Sequence, residues 1–433
     1  MNGAEFAKRR KTLMRMVGED GIAILPSAPV RTRSRDVQYR FRQDSDFYYL
    51  TGFAEPDSVA ILVPGGKNGE YVLFCRERNK DKEQWDGYRA GPGGAISQFG
   101  ADDAFPIDDI DDILPGILET RNRVYCTLGA YSDFDQRITE WVKSLKNRAS
   151  SGIRTPHEFV ALDHVLHDMR LYKSRAEISA LRKAAKIAVQ AHRRAISAIR
   201  PGLFEYEVEA EYLREFRRHN ATISYTPIVG SGANACTLHY IDNCGVLRDG
   251  DLILIDCGCE YDYYVSDVTR TMPVNGIFSP EQRVIYEIVL EAQLAAIEKT
   301  VIGNHWNDPH DAAVRIITKG LKKIGLLDGT LQRLIRDEAY REYFMHRTGH
   351  WLGMDVHDVG DYKVGDEWRI LESGMVTTIE PGIYISTSRK VPAKWRNIGI
   401  RIEDDVAVTT DGPDILSKGL AKAPDEVEAL IAG

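Results

Sequence analysis

The chain has 433 residues, and its 56 lysines and arginines stand against 64 aspartates and glutamates, for a formal charge of −8. This length exceeds one ordinary domain, so we expect two. A net acidic chain has no general attraction for nucleic acid or an anionic membrane surface, and neither is an expected partner. The charged, amphipathic N-terminus has no signal-peptide core, which predicts a cytoplasmic protein.

The first third of the sequence alternates short β-rich runs with helical ones. The β-rich runs are GIAILPS, FYYLTGF, SVAILVPGG and GEYVLFCRER, and glycine, proline and aspartate turns bound them. This pattern predicts a mixed α/β domain over residues 1–172. A long helix is predicted next over 176–199, with Ser174 as its N-cap and Glu177 as the capping-box partner.

The remainder, residues 173–433, is predicted to be a second domain of the α+β class. Helices are expected near 205–219, 280–300 and 308–325. They alternate with the strand-like runs DLILIDCGCEY, VSDVTRTMPV, GMVTTIEPGIYI and IGIRIEDDVAVT.

Four acidic residues lie within or beside these apolar strands, where acids are rare. They are Asp256, Asp267, Glu380 and Glu403. A carboxylate buried without a partner costs several kcal/mol or becomes protonated, so each position calls for a cation or for hydrogen-bond donors. Turn-compatible residues at 260–262 can bring the two aspartates face to face. Arg401 shares a strand face with Glu403, where it can neutralise charge or hold a substrate group.

Histidines are concentrated near the same strands. His346, His350 and His357 fall in one short segment, and His239 precedes them in NACTLHYIDN. The spacing of His346 and His350 is not HExxH, so the common zinc-protease helix does not fit. One histidine among several carboxylates suits Mn²⁺, Co²⁺ or a similar divalent ion, and two such ions suffice for amide hydrolysis.

Each of these residues also has a simpler explanation. A single aspartate in a strand is more often capped or salt-bridged than a metal ligand, and His239 can be an ordinary core histidine. The combination of four strand-associated acids with a dense histidine segment is much harder to explain by structure alone. We find no nucleophile elbow, Walker loop or dinucleotide fingerprint that would indicate another chemistry.

Four segments, DCGCEYDYYVSDVTR, HRTGHWLGMDVHDVG, TTIEPGIYI and GIRIEDDVAVT, resemble the metal-binding motifs of the pita-bread peptidases. That family includes aminopeptidase P, prolidase and methionine aminopeptidase. The segment RTRSRDVQYRFRQDSDFYYLTGFAEPD resembles the aminopeptidase P type, whereas methionine aminopeptidase lacks this domain. The resemblance implies a creatinase-type α/β N-terminal domain, a pita-bread catalytic domain and a homo-oligomer, either a dimer or a tetramer.

The resemblance also implies a role for each candidate residue. The implied ligands of two divalent ions, Mn²⁺ first with Co²⁺ or Zn²⁺ as alternatives, are Asp256, Asp267, His350, Glu380 and Glu403. Among them, Asp267 and Glu403 would bridge the ions and Glu380 would also be the general base. The other implied catalytic residues are His239, His346, His357 and Arg401.

Four further positions are implied to contact substrate: Asp36, Trp85, Tyr362 and Tyr384. Asp36 would hold the free amine, and Trp85 would cover the site from a neighbouring subunit. Their simpler explanations are an exposed turn acid for Asp36 and ordinary packing for Trp85.

The implied activity is release of the N-terminal residue from peptide substrates that have proline at the second position. A bond to proline is a tertiary amide without an N–H, so proteases that bind that donor handle it poorly. Two alternatives remain: a prolidase acting on Xaa-Pro dipeptides, and a pita-bread binding module that has lost its metals.

Overall fold

A computed structural model describes residues 1–67, 69–119, 121–148, 150, 152–388 and 390–432. The chain divides into two compact units, Met1–Met169 and Arg170–Gly433. The domain limits predicted from the sequence, 1–172 and 173–433, stay a prediction. No helix in the described part of the chain is long and apolar enough to cross a membrane.

The first unit is built on a six-stranded mixed sheet. Its strands are β1 (Gly21–Pro26), β2 (Thr32–Ser34), β3 (Val37–Gln38), β4 (Val59–Leu62), β5 (Tyr71–Cys75), β6 (Asp103–Pro106), β7 (Arg123–Cys126) and β8 (Glu158–Ala161). The sheet order is β6-β5-β4-β1-β7-β8, with β2 and β3 forming a separate hairpin. Strand β1 pairs antiparallel with β4 and parallel with β7. This arrangement confirms the predicted α/β class.

The helices accompanying this sheet are α1 (Gly3–Val17), α2 (Ser45–Thr51), α3 (Lys80–Asp86), α4 (Gly91–Phe99), α5 (Ile110–Leu118) and α6 (Ser132–Asn147), and α7 (Asp163–Leu171) contains the division between the units. Helices α5 and α6 pack against each other, and their apolar residues join those of the strands in one core. The core therefore lies on a face of the sheet that these helices cover.

One strand prediction in this unit is wrong. The run FYYLTGF forms helix α2 and its C-cap instead of a strand. The Asp44 carboxylate accepts a hydrogen bond from the Phe47 N–H at 2.9 Å, and Gly52 ends the helix with φ at 65°. These two caps stabilise a helix despite the strand preference of aromatic residues.

The second unit combines long helices with small antiparallel sheets. The helices are α8 (Arg175–Ile196), α9 (Glu205–Arg218), α10 (Pro280–Lys299), α11 (Asp308–Lys323), α12 (Leu331–Arg336) and α13 (Pro424–Ala432). The capping box predicted for Ser174 and Glu177 is present at the start of α8. The bounds of α8, α9, α10 and α11 confirm the four predicted helices to within a few residues at their ends.

The strands of the second unit are β9 (Thr222–Ile223), β10 (Ile228–Ser231), β11 (Leu252–Asp256), β12 (Cys259–Tyr261), β13 (Tyr264–Val265), β14 (Thr269–Pro273), β15 (Lys363–Val364), β16 (Glu367–Trp368), β17 (Val376–Ile379), β18 (Gly382–Ile385), β19 (Ile398–Arg401), β20 (Asp404–Thr409) and β21 (Gly412–Ile415). Their described pairings are antiparallel, including β10 with β11, β11 with β14, and β17 with β20. Helices and antiparallel strands share one large core, as predicted for an α+β unit.

A buried histidine joins helices α8 and α9 within this core. His192 is fully buried, with Nε2 at 3.0 Å from the Val268 carbonyl oxygen and Nδ1 at 2.8 Å from the Tyr212 hydroxyl. Since a carbonyl only accepts, Nε2 carries the proton and Nδ1 accepts from Tyr212. Burial, followed by the charge of Arg270, lowers the pKa of His192 to about 3.

We expect His192 to make the fold sensitive to mild acid. Below about pH 6.5 the unfolded chain protonates this imidazole while the folded chain does not. The free energy of unfolding therefore decreases as the pH is lowered, by about 2 kcal/mol at pH 5. His192→Gln keeps one donor and one acceptor but does not titrate. Urea unfolding from pH 7 to pH 5 should therefore show a steeper loss for the wild type than for the variant, and parallel profiles would contradict this assignment.

Candidate metal centre

A β-hairpin brings the two aspartates together. Strands β11 and β14 pair antiparallel, with Asp256 at the end of one and Asp267 two residues before the other. Gly258 allows the two segments of the hairpin to approach closely, because a Cβ there would lie 1.7 Å from the Ser266 carbonyl oxygen. The Tyr225 hydroxyl consequently contacts one carboxylate oxygen of each aspartate. The structure thus shows the facing arrangement that the sequence predicted for these two residues.

The two glutamates reach the site from strand ends. Glu380 directly follows β17, as predicted. Glu403, predicted to lie within one strand over 398–409, lies instead in the break between β19 and β20. The break arises because the Glu403 N–H donates to the Thr269 carbonyl at 3.1 Å, while the Thr269 hydroxyl donates to Glu403 Oε2 at 2.6 Å. These contacts turn the Glu403 carboxylate toward the end of the aspartate hairpin.

His350 lies between the acids with one nitrogen available to a metal. Its Nδ1 is 3.0 Å from the Trp351 carbonyl oxygen and therefore carries the proton. Its Nε2 is 3.5 Å from Asp267 Oδ2 and 3.8 Å from Glu380 Oε1. Ligand atoms of Asp267, His350 and Glu403 all lie within 4.8 Å of one another. The hydrogen bond from His350 Nδ1 to the Trp351 carbonyl selects the tautomer that a metal-binding histidine requires.

The charges of the site do not balance. Four buried or nearly buried carboxylates face one guanidinium, that of Arg401, whose Nη2 lies 2.6 Å from Asp256 Oδ2. Burial, together with the neighbouring carboxylates, raises the pKa of Glu380 to about 7 and that of Glu403 well above its ordinary value. Such repulsion between buried acids is relieved by cations. The donor set, four carboxylates and one imidazole, therefore fits divalent ions of the Mn²⁺ or Co²⁺ type.

The neighbouring acids also change the pKa of His350. Burial alone would lower its pKa, but hydrogen bonding to Asp267 and the charge of Glu380 raise the pKa of His350 to about 9. A metal ligand must be deprotonated at the coordinating nitrogen, so ion binding at His350 would release a proton.

Several residues that contact the candidate ligands were missed by the sequence analysis, among them Tyr225, Thr269 and Asp405. The Asp267 N–H donates to the Asp405 carboxylate at 3.2 and 3.3 Å. The only available signal was weak, namely that Asp405 continues the acidic run after Glu403. Tyr225 and Thr269 are ordinary residues in strand-like surroundings, and only their contacts across the fold reveal them.

His346, Tyr384 and Arg401 form a hydrogen-bonded chain beside the acids. Arg401 Nη1 donates to the Tyr384 hydroxyl at 2.8 Å, and that hydroxyl is 2.9 Å from His346 Nε2. His346 Nδ1 is 2.7 Å from the Arg347 carbonyl oxygen and so carries the proton. Burial, then the charge of Arg401, lowers the pKa of His346 to about 4. His346 is therefore neutral near pH 7, with Nε2 accepting from Tyr384.

A cavity of about 900 Å³ opens beside the acids. His239, His357 and Tyr362 line it together with the five candidate metal ligands, His346 and Arg401. The rings of His350 and His357 pack edge to face with their centroids 4.2 Å apart. Tyr384 is 3% exposed and contacts His346 and Arg401, and its predicted contact with substrate stays a prediction.

Asp36 and Trp85 lie in the first unit. Asp36 is exposed at the turn between β2 and β3, next to Arg35, whose φ is 48°. Trp85 is 89% exposed at the end of α3, so the simpler explanation, packing within this chain, is wrong.

A chain in which a cluster of acids and histidines lines a large cavity has the features of a metal-dependent hydrolase. Two family models match it: Metallopeptidase family M24 over residues 179–410, and Aminopeptidase P, N-terminal domain, over residues 6–125. The chain therefore belongs to metallopeptidase family M24 and, with that N-terminal domain, to its aminopeptidase P group.

Full-length relatives agree with this assignment. The chain is 43% identical to the Xaa-Pro aminopeptidase of Escherichia coli over 99% of its own length and 97% of the relative's. It is 41% identical to the Xaa-Pro aminopeptidase of Haemophilus influenzae, with 99% and 97% covered.

Solved structures agree as well. The aminopeptidase PepP of Pseudomonas aeruginosa matches with a TM-score of 0.99 and 57% identity, covering 100% of this chain and 98% of that one. Proline aminopeptidase P II of Yersinia pestis matches with a TM-score of 0.97 and 44% identity, covering 100% of both. These matches confirm the predicted family and the pita-bread fold of the second unit.

Proposed function

We propose that this chain is an Xaa-Pro aminopeptidase, a metallopeptidase that releases the N-terminal residue of peptides with proline at the second position. The observation that carries this proposal is the convergence of carboxylate and imidazole ligands from distant segments in the wall of one cavity. The full-length identity to Xaa-Pro aminopeptidases supports the same activity.

Two divalent ions would be held by Asp256, Asp267, His350, Glu380 and Glu403. When bound, such ions polarise a scissile carbonyl and lower the pKa of water, so that a hydroxide nucleophile is available near neutral pH. We propose Mn²⁺ as the native metal because oxygen donors outnumber nitrogen, with Co²⁺ or Zn²⁺ as alternatives. A zinc-substituted aminopeptidase P of E. coli in complex with product is among the similar structures.

The chain's own residues would supply the proton transfers. Glu380 lies at a strand end on the cavity wall, and as a general base it would take a proton from the attacking water. His239 and His357 also line the cavity and would hydrogen-bond the substrate carbonyl and amine. Arg401 would donate to the Asp256 carboxylate and oppose the rise that burial causes in the pKa of Asp256 and, through Tyr384, would hold His346 in place.

Substrate specificity belongs to the same proposal. Tyr362 would contact the peptide from the cavity wall. Asp36 would bind the free amine, and Trp85, exposed in this chain, would cover the site of a neighbouring subunit in a homo-oligomer. The cytoplasm is the proposed location, and residues 1–172 and 173–433 are the proposed domains.

We expect the metal-loaded protein to cleave Xaa-Pro-Yaa tripeptides at the Xaa-Pro bond. Matched Xaa-Ala-Yaa peptides should react at least about tenfold more slowly, since a pocket shaped for the ring separates substrates by ~1–3 kcal/mol. Removing metal with a chelator should abolish cleavage, and Mn²⁺ should restore it. Product analysis by liquid chromatography gives the rate and the bond cleaved.

The same assay distinguishes the alternatives. A prolidase would cleave the Xaa-Pro dipeptide and leave the tripeptide intact, and the names of the relatives do not favour it. A binding module without metals would bind no ion in a titration and would cleave neither peptide.

A further inference from the structure

A buried carboxylate lies beneath the segment that carries His239. Glu205 is the first residue of helix α9 and is 0% exposed. Its backbone N–H donates to the Gly245 carbonyl oxygen at 2.9 Å. The mechanism proposed above gives this residue no role, although few glutamates are fully buried without a functional or structural reason.

Five hydrogen bonds converge on the Glu205 carboxylate, and all five donors come from residues 231–245. Oε1 accepts from the Ser231 N–H at 2.7 Å, the Ser231 hydroxyl at 2.8 Å and the Asn234 amide at 3.0 Å. Oε2 accepts from the Tyr240 hydroxyl at 2.8 Å and the Gly245 N–H at 2.7 Å. All five donors are neutral, and together they satisfy the charge of the carboxylate.

The segment held in this way has little regular structure of its own. After a 3₁₀ turn at Gly232–Cys236, the chain runs to Gly245 without entering a named helix or strand. A loop of this kind has no backbone ladder to define its path, so side-chain contacts determine it. Glu205 contacts both ends of the segment, at Ser231 and Gly245, and its middle at Tyr240.

The approach at Gly245 is close enough to exclude a side chain. A Cβ at this position would lie 2.9 Å from both Glu205 carboxylate oxygens and 2.8 Å from the Asn234 amide nitrogen. The glycine therefore permits the direct hydrogen bond between its N–H and Glu205.

His239 lies next to the Tyr240 contact. Its neighbours Leu238 and Ile241 line the catalytic cavity along with it, while the Tyr240 hydroxyl is bound by Glu205. His239 itself is exposed and has no burial to restrain it. The position of its imidazole in the cavity wall thus depends on the path of the loop.

We infer that Glu205 is a positioning residue for catalysis: it holds the loop of residues 231–245 so that His239 faces the substrate. This inference rests on the proposed function for its catalytic consequence, but not for its structural one. Glu205 itself has no contact with the candidate metal ligands among its described hydrogen bonds, and it acts only through the loop.

The test compares Glu205→Gln, His239→Ala and the double variant. The amide keeps the shape of the carboxylate but turns one acceptor into a donor, which disrupts the bonds at that oxygen. We expect kcat for an Xaa-Pro-Yaa peptide to fall roughly 10- to 100-fold in Glu205→Gln, because a displacement of about 1 Å in a catalytic group has this effect. On the His239→Ala background the same change should cost less than about twofold, because residues acting through one another are not additive.

Glu215→Gln is the matched control, since Glu215 is a buried glutamate near the other end of the same helix. It should leave kcat within about twofold of the wild type. Tyr240→Phe removes one bond to Glu205, together with the bond that the Tyr240 hydroxyl accepts from the Cys244 N–H of the same loop, and serves if Glu205→Gln does not fold. It should show a smaller loss with the same dependence on His239. If Glu205→Gln lowers kcat by the same factor in the wild type and in His239→Ala, the inference is overturned.

Hydrogen exchange separates this inference from the proposed activity. Amides of residues 232–245 should exchange faster in Glu205→Gln than in the wild type or in Glu215→Gln, whatever the enzyme cleaves. Unchanged exchange would overturn the role of Glu205 in holding the loop. Faster exchange in a protein that cleaves no Xaa-Pro peptide would support that role while rejecting the proposed function.

Discussion

Asp267→Ala is expected to lower kcat/KM for Xaa-Pro-Yaa hydrolysis by at least about a thousandfold, because a metal contributes several kcal/mol to such a reaction. Asp267 is 5% exposed, and its Oδ2 lies 3.5 Å from His350 Nε2. Ligand atoms of Asp267, His350 and Glu403 lie within 4.8 Å of one another. Removing a shared ligand should empty at least one metal position. Metal content measured by mass spectrometry on the dialysed variant should therefore fall together with the rate.

Asp328→Ala is a suitable control for this experiment, since Asp328 is an exposed aspartate of the same unit. It should retain the metal content and the rate of the wild type. An Asp267→Ala protein that binds as much metal as the wild type and still cleaves the peptide would remove Asp267 from the centre.

Glu380→Gln should lower kcat by about 10²- to 10⁴-fold, the contribution typical of a general base, while KM changes by less than about threefold. The amide is nearly the same size as the carboxylate but cannot accept a proton. Steady-state kinetics at saturating Mn²⁺ isolates this effect from weakened metal binding.

Glu372→Gln is the corresponding control, because Glu372 is exposed shortly before the same strand β17. It should behave as the wild type does. If kcat of Glu380→Gln stays within tenfold of the wild type at full metal occupancy, the general base is another residue.

The sequence predicted the features of this site that depend on local patterns. Asp256 and Asp267 could be placed face to face because they are close in the chain and a turn at 260–262 lies between them. The helix cap at Ser174 followed from a four-residue motif whose partners lie within one turn. Their positions at apolar strands also indicated Glu380 and Glu403, and the resemblance of four short segments to one peptidase family then selected His350 among the histidines.

Features that depend on distant contacts were beyond sequence reasoning. The break in the strand at Glu403 results from hydrogen bonds with Thr269, 134 residues away in the chain. The helix at α2 forms because its two caps outweigh the strand preference of its aromatic residues. Tyr225 and Glu205 carry no motif, and only the three-dimensional structure shows what they bind.

The account depends most on the claim that five donors converge on two cations, and the crystal structure of the Mn²⁺-loaded protein tests it directly. Anomalous scattering should locate two ions per chain, with Asp267 and Glu403 in contact with both, and Asp256, His350 and Glu380 completing the shells. A loaded crystal with no ion at this cluster, and with each acid hydrogen-bonded to a local partner instead, would contradict the metallopeptidase site described here.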